Sequence, residues 1–271
     1  MGKVVVVTSG KGGVGKTTST AALGAALALR NEKVVLVDFD VGLRNLDLIM
    51  GAERRVVYDL VNVIQGDAKL TQALIRDKRL DTLFLLPASQ TRDKDALTPE
   101  GVEWVIAELK HHFDWVICDS PAGIERGATL AMRHADEAVI VTNPEVSSVR
   151  DSDRIIGLLD SKTMKAERGE RMPKHLLVTR YDANRAERGD MLKVDDVLEI
   201  LSIPLLGIIP ESMEVLRASN IGAPVTIADF KSAPAQAYFE AVRRLAGEDV
   251  PISIPGAKTS LFGKIFGRRA A

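Results

Sequence analysis

Seven short, almost unbroken apolar runs alternate with helical patterns along this chain, and little else a sequence can do constrains its fold as tightly. The runs cover residues 4–7, 34–37, 83–86, 116–118, 138–141, 176–178 and 205–209. Strands with one wet face alternate apolar and polar residues, whereas these do not, which is the pattern of parallel strands covered on both faces. Helical stretches at 16–30, 99–110, 146–159, 194–201 and 234–245 separate them, with shorter helices expected at 45–50 and 58–65. Strand–helix alternation of this kind predicts an α/β class, doubly wound and mostly parallel sheet with helices on both faces and ligands at the carboxyl ends of the strands. The charged stretch 162–174 reads as a solvated loop. A Pro/Gly segment at 251–256 separates a domain over 1–250 from residues 257–271.

The first strand runs into Gly10-Lys11-Gly12-Gly13-Val14-Gly15-Lys16-Thr17-Thr18. That is a full match to the phosphate-loop pattern, with strand before and helix after. Glycines let successive N–H groups point at phosphate oxygens, and the helix offers its positive end to the same anion. Lys16 reaches the β- and γ-phosphates and the Thr17 hydroxyl can hold Mg²⁺. Lys11 is one cation more than an ordinary phosphate loop needs, and a solvent-facing lysine is the alternative account of it.

Two further strand ends carry acids, Asp38-Phe39-Asp40 and Asp119-Ser120-Pro121-Ala122-Gly123. In a doubly wound sheet both lie beside the phosphate loop. Asp119 follows the apolar strand of a Walker B pattern and would hold Mg²⁺ through water, and Gly123 would let a loop approach the γ-phosphate by its backbone. A helix cap or turn former is the competing reading of a single such Asp. At 179–182 the chain reads Thr-Arg-Tyr-Asp where guanine-specific relatives carry N-K-x-D, so only Asp182 imitates that pattern and ATP is favoured over GTP.

Composition excludes several chemistries. A lone cysteine, Cys118, rules out an intramolecular disulfide and a Cys-rich zinc site, and the four histidines show no ligand spacing. A net charge of −1 gives no global reason to expect nucleic acid as a partner. No signal peptide opens the chain, and no apolar run approaches the roughly 18 residues of a spanning helix. The expected location is therefore the cytoplasm.

Residues 257–271 differ from the rest. Leu261, Phe262, Ile265 and Phe266 form one helical stripe, Lys258, Lys264, Arg268 and Arg269 add four positive charges, and no acid follows Asp249. This is a basic amphipathic segment suited to an anionic phospholipid surface, with Leu261, Phe262, Lys264, Ile265 and Phe266 as the contact residues. Four apolar side chains contribute about 1.5 kcal/mol each and four cations about 1 each, against on the order of 10 kcal/mol for ordering ten residues. One such segment is marginal, and two on a dimer bind through high effective concentration. A final helix packed back onto the domain is the other possibility.

The run Lys11 to Thr17, K-G-G-V-G-K-T, resembles the deviant Walker A motif of the MinD/ParA class of P-loop ATPases. Further stretches at 38–47, 87–95, 119–125 and 142–151 are similar to the MinD branch of that class, so the resemblance covers essentially the whole chain. It implies an ATP-dependent homodimer on the cytoplasmic face of the inner membrane, in which Lys11 crosses to the partner's phosphates. It implies that Asp40 orients the attacking water, with Asp38 nearer the metal, and that Arg180, Pro210 and Glu211 flank adenine. As partners it implies MinC, the inhibitor of division-ring assembly, and MinE, which stimulates hydrolysis. A helix beginning near Ser147, with Arg150, Asp151 and Asp153, is a candidate partner face, and a solvated helix face is the competing account. The alternatives are a ParA-type DNA-partition ATPase, which calls for a basic DNA-binding surface, and a metabolic phosphoryl-transfer ligase of the same fold. A nitrogenase-reductase-like role needs two cysteines per subunit.

Overall fold

The computed structural model describes residues 1–92 and 94–256. Eight strands form one sheet: β1 (Lys3–Thr8), β2 (Val34–Asp38), β3 (Ile75–Arg76), β4 (Leu83–Leu86), β5 (Trp115–Asp119), β6 (Glu137–Thr142), β7 (Lys174–Tyr181) and β8 (Leu205–Pro210). Their order is β3-β4-β2-β5-β1-β6-β7-β8, parallel throughout except for β3, which pairs antiparallel with β4. All seven expected strands are present. The eighth, β3, is two residues long and has no apolar run to announce it.

Helices cover both faces. On one lie α1 (Lys16–Ala28), α2 (Leu46–Ile49) and, from the chain's end, α11 (Met213–Asn220), α12 (Val225–Ala228) and α13 (Ala233–Leu245). On the other lie α3 (Leu60–Gln65), α4 (Leu70–Ala73), α5 (Pro99–His112), α6 (Arg126–Arg133), α7 (Val146–Leu159), α9 (Ala183–Glu187) and α10 (Val194–Leu201). Alternate residues of each strand feed the two cores: Val4 and Val6 point to one, Val5 and Val7 to the other, and all four are buried. This is why the runs show no polar alternation.

The solvated loop expected at 162–174 is in part a helix. Thr163 is fully buried and its hydroxyl accepts from the Ala166 N–H, capping α8 (Met164–Glu167), while Met172 is buried in the core. The charges that suggested a loop lie on the turn's wet side. The long helix expected over 16–30 stops at Ala28. Among the described residues no helix is long and apolar enough to cross a membrane. The membrane-contact residues expected within 257–271 lie outside the described residues.

Candidate functional site

The sheet's order reverses at β1, which sits between β5 and β6, so the carboxyl ends of β1, β2 and β5 open a crevice at that switch point. The phosphate loop fills it. Gly13 and Gly15 adopt φ of 77° and 95°, left-handed values that place no strain on glycine alone. Gly15 is the N-cap of α1, whose first turn carries no acidic residue, so the positive helix end is left for an anion. Gly10 is required for a different reason: a Cβ there would lie 2.3 Å from the Asp151 backbone, so the loop rests directly on α7.

Side chains and backbone hold the loop from behind. The Ser9 hydroxyl donates to the Lys11 carbonyl at 2.8 Å, and the Gly123 N–H donates to the Ser9 carbonyl at 3.1 Å. The Thr179 hydroxyl, at the end of β7, donates to the Val14 carbonyl at 2.6 Å. Thr179 and Gly123 thereby tie the loops after β7 and β5 to the phosphate cradle.

Asp38 and Asp119 are register partners on β2 and β5, and both are 1% exposed. Burial raises the Asp38 carboxyl well above the ordinary carboxylate range, and the Asp119 charge adds to it. Burial likewise pushes Asp119 up to about 6, against the Lys16 ammonium and the hydroxyls of Thr17 and Thr20, which favour its charged form. Asp38 accepts from the backbone N–H groups of Asp40 at 2.9 Å and Leu46 at 3.4 Å. The charge of Asp40 acts on both carboxylates, which puts it in the same site.

Two adjacent buried carboxylates need a cation. Among the described residues no cluster of three or more His, Cys, Asp or Glu is placed to hold a metal. That donor set fits Mg²⁺, which takes one or two carboxylates and completes its shell with phosphate oxygens and water. Thr17, Asp38 and Asp119 are the residues that would hold it.

Beyond Gly15 a cleft of about 520 Å³ continues from the loop. Thr18, Arg180, Pro210 and Glu211 line it, together with Met213, Leu216 and Tyr238. Arg180 has a left-handed φ of 54°, and the Glu211 N–H donates to the Tyr181 carbonyl at 2.9 Å, pinning the two rim loops together. Tyr238 floors the cleft from α13, and its hydroxyl shares a buried hydrogen bond of 2.9 Å with Ser19 of α1.

Lys11 does not point into its own cradle. Its ammonium lies 2.9 Å from Glu145 Oε2 and 3.2 Å from the Ser147 hydroxyl, at the start of α7, with 41% of the side chain exposed. Arg150 and Asp153 are exposed on the same helix and Asp151 is half-buried. The sequence did not single out Glu145, Ser147 as a lysine partner, Thr179 or the flooring Tyr238. Thr179 alone had a signal, as the first residue of the segment that replaces N-K-x-D.

A family model described as the CobQ/CobB/MinD/ParA nucleotide binding domain matches residues 5–225, the span that carries this crevice. The septum site-determining protein MinD of Neisseria meningitidis is 60% identical over 271 residues, covering 98% of this chain and all of that protein. The chain belongs to the MinD family. Among solved structures, MinD in the MinC:MinD cell division protein complex of Aquifex aeolicus superposes with a TM-score of 0.83 at 43% identity, over 93% of this chain and 99% of that one. The Pyrococcus horikoshii septum site-determining protein MinD, complexed with Mg-ADP, gives 0.80 at 31% identity, over 90% and 96%. This MinD-family chain thus carries a nucleotide binding domain over the span that forms the crevice, and the paired buried carboxylates lie within that span.

Proposed function

We propose that this chain is an ATP-hydrolysing switch that dimerises on ATP, attaches to anionic membrane, recruits MinC to place the division septum, and is released when MinE stimulates hydrolysis. The observation that carries the reading is Lys11. An exposed cation that leads the phosphate loop yet turns away from its own cradle to Glu145 is available to a second subunit's phosphates. The Aquifex MinC:MinD complex supports MinC as the partner, and the Pyrococcus Mg-ADP structure supports an adenine nucleotide with Mg²⁺. The pattern of residues 257–271 supports lipid attachment. No comparable pattern supports DNA as the partner.

Mechanistically, the phosphate loop and the start of α1 hold the triphosphate by backbone N–H groups, and Lys16 neutralises charge on its terminal oxygens. Thr17, Asp38 and Asp119 would hold Mg²⁺, which would supply further charge neutralisation to the phosphates when bound. Asp40 orients the attacking water in line with the leaving oxygen. Lys11 arrives from the partner and stabilises charge that spreads in the transition state, so hydrolysis waits for dimerisation. Gly123, hydrogen-bonded to Ser9, brings the loop after β5 to the γ-phosphate end.

The test is ATP turnover of the full chain alone, with anionic vesicles, and with vesicles plus MinE. Marked stimulation only when both are present is expected. Turnover indifferent to both removes the switch reading, and stimulation by DNA in their place favours the partition ATPase.

A further inference from the structure

The helix that floors the nucleotide cleft through Tyr238 carries, near its other end, an arginine with four acceptors. Arg244 is 11% exposed. Its Nε donates to the Val250 carbonyl at 2.8 Å and its Nη1 to the Leu206 carbonyl at 2.8 Å. Its Nη2 donates to Glu240 Oε2 at 3.0 Å and to the Pro251 carbonyl. Leu206 is the extra residue where β8 slips register on β7: Leu176 pairs with Leu205, but the next pair is Leu177 with Gly207. A bulge leaves such a residue outside the ladder. One guanidinium therefore satisfies a carbonyl of the outermost strand and grips the chain that leaves α13.

The grip sets a course. Val250 and Pro251 are held beside Leu206, at the end of β8 away from the nucleotide. Five residues later a Cβ on Gly256 would lie 2.9 Å from the Ala183 Cβ, and Ala183 follows the nucleotide end of β7. Residues 251–256 pair with no strand, yet they travel the length of β8, a distance that six extended residues span at about 3.3 Å each.

We infer that Arg244 is a positioning residue for membrane attachment: its clasp lays residues 251–256 along β8 and delivers the basic amphipathic segment beside Ala183, at the nucleotide end of the molecule. The inference rests on the reading that residues 257–271 bind lipid from an ATP dimer. With the clasp closed, the sequence between Gly256 and the first apolar contact residue, Leu261, is the four residues 257–260. With it open, Glu248 still holds the chain through Arg30 at 2.6 Å and Arg243 at 2.7 Å, so the arm begins after Glu248 and is the twelve residues 249–260. The effective concentration of a second segment falls roughly as the −3/2 power of arm length, so opening the clasp weakens two-segment attachment about fivefold. Single-segment attachment is unchanged, because no lipid-contacting residue is altered.

The experiment uses the full chain and vesicles of phosphatidylglycerol and phosphatidylethanolamine. Arg244→Gln should weaken co-sedimentation about fivefold with ATP, leave it unchanged with ADP, and leave ATP affinity unchanged. Equal loss in both nucleotide states, or no loss with ATP, overturns the inference. In that variant, a staple between Ala183→Cys and Gly256→Cys should restore ATP-state attachment on oxidation and release it on reduction; failure to restore it also overturns the inference. If Arg244→Gln does not fold, an insertion of about eight Gly/Ser residues after Gly256 in the otherwise native chain should give the same loss of about fivefold, and undiminished attachment again counts against the clasp. Deleting residues 257–271 separates the two failures. Attachment that survives deletion sinks the lipid reading itself, whereas attachment lost on deletion but untouched by Arg244→Gln sinks only the role of Arg244.

Discussion

The Lys11 ammonium lies 2.9 Å from the Glu145 carboxylate, an ion pair between the head of the phosphate loop and the start of α7 with both side chains partly in solvent. Exposed pairs of this kind contribute only about 0.2–1 kcal/mol. The contact parks the lysine without holding it strongly. Glu145→Gln should therefore ease dimer formation on a non-hydrolysable ATP analogue, by no more than about fivefold, as read by sedimentation velocity. A tenfold loss of dimer would mean that Glu145 serves the dimer and not the resting subunit.

Lys11→Ala tests the other half of that pair. The side chain is 41% exposed and its ion-pair partner Glu145 is exposed too, so thermal stability should stay within about 0.5 kcal/mol of the native chain. Charge delivered in trans to a phosphoryl transition state is worth on the order of 10³-fold or more in turnover. Stimulated hydrolysis should fall by that order while ATP binding to the monomer persists, and full stimulated turnover in the variant would falsify the trans role.

The carboxylate pair predicts a pH dependence whose sign is fixed by the direction of its shifts. Both groups titrate above the ordinary carboxylate range, so the folded state without nucleotide binds protons more tightly than the unfolded chain. Their contribution to stability is present at low pH and is lost as pH rises through about 6 for Asp119. Melting of the nucleotide-free chain should fall by several degrees between pH 5 and 7.5 relative to Asp119→Asn, which lacks the charge. Mg²⁺-nucleotide should flatten the native curve by neutralising the pair. Parallel curves for the two proteins would show that the buried charge costs nothing.

Gly10→Ala places a methyl against the Asp151 backbone, a neighbour that cannot rotate aside. Forcing such a contact costs about 1–3 kcal/mol. Calorimetry should show a melting point several degrees lower, with weaker ATP affinity because loop and helix separate. An unchanged melting point would mean that α7 yields freely.

How far the primary structure foretells this molecule follows the range of each interaction. The seven main strands were readable because each is a contiguous run buried on both faces, as 4–7 and 34–37 illustrate. The phosphate loop and the acids Asp38, Asp40 and Asp119 were readable because local backbone requirements put them at strand ends. β3 was not, since two residues paired antiparallel at an edge leave no periodic trace. Thr163 hid a helix cap within a charged stretch. Glu145, Thr179 and Tyr238 reach the site only through the tertiary fold, which brings together Lys11 and Glu145 at a sequence separation of 134 and Ser19 and Tyr238 at one of 219. No spacing rule along a chain encodes such meetings.

The contact between Gly10 and the Asp151 backbone leaves no compliant layer between the phosphate loop and α7. A loop that tightens around a triphosphate must therefore carry α7 with it, and the exposed charges of Arg150 and Asp153 ride on that helix. Whatever docks there feels the state of the phosphates as a displacement of its own footing, delivered by backbone against backbone with no side chain to absorb the stroke.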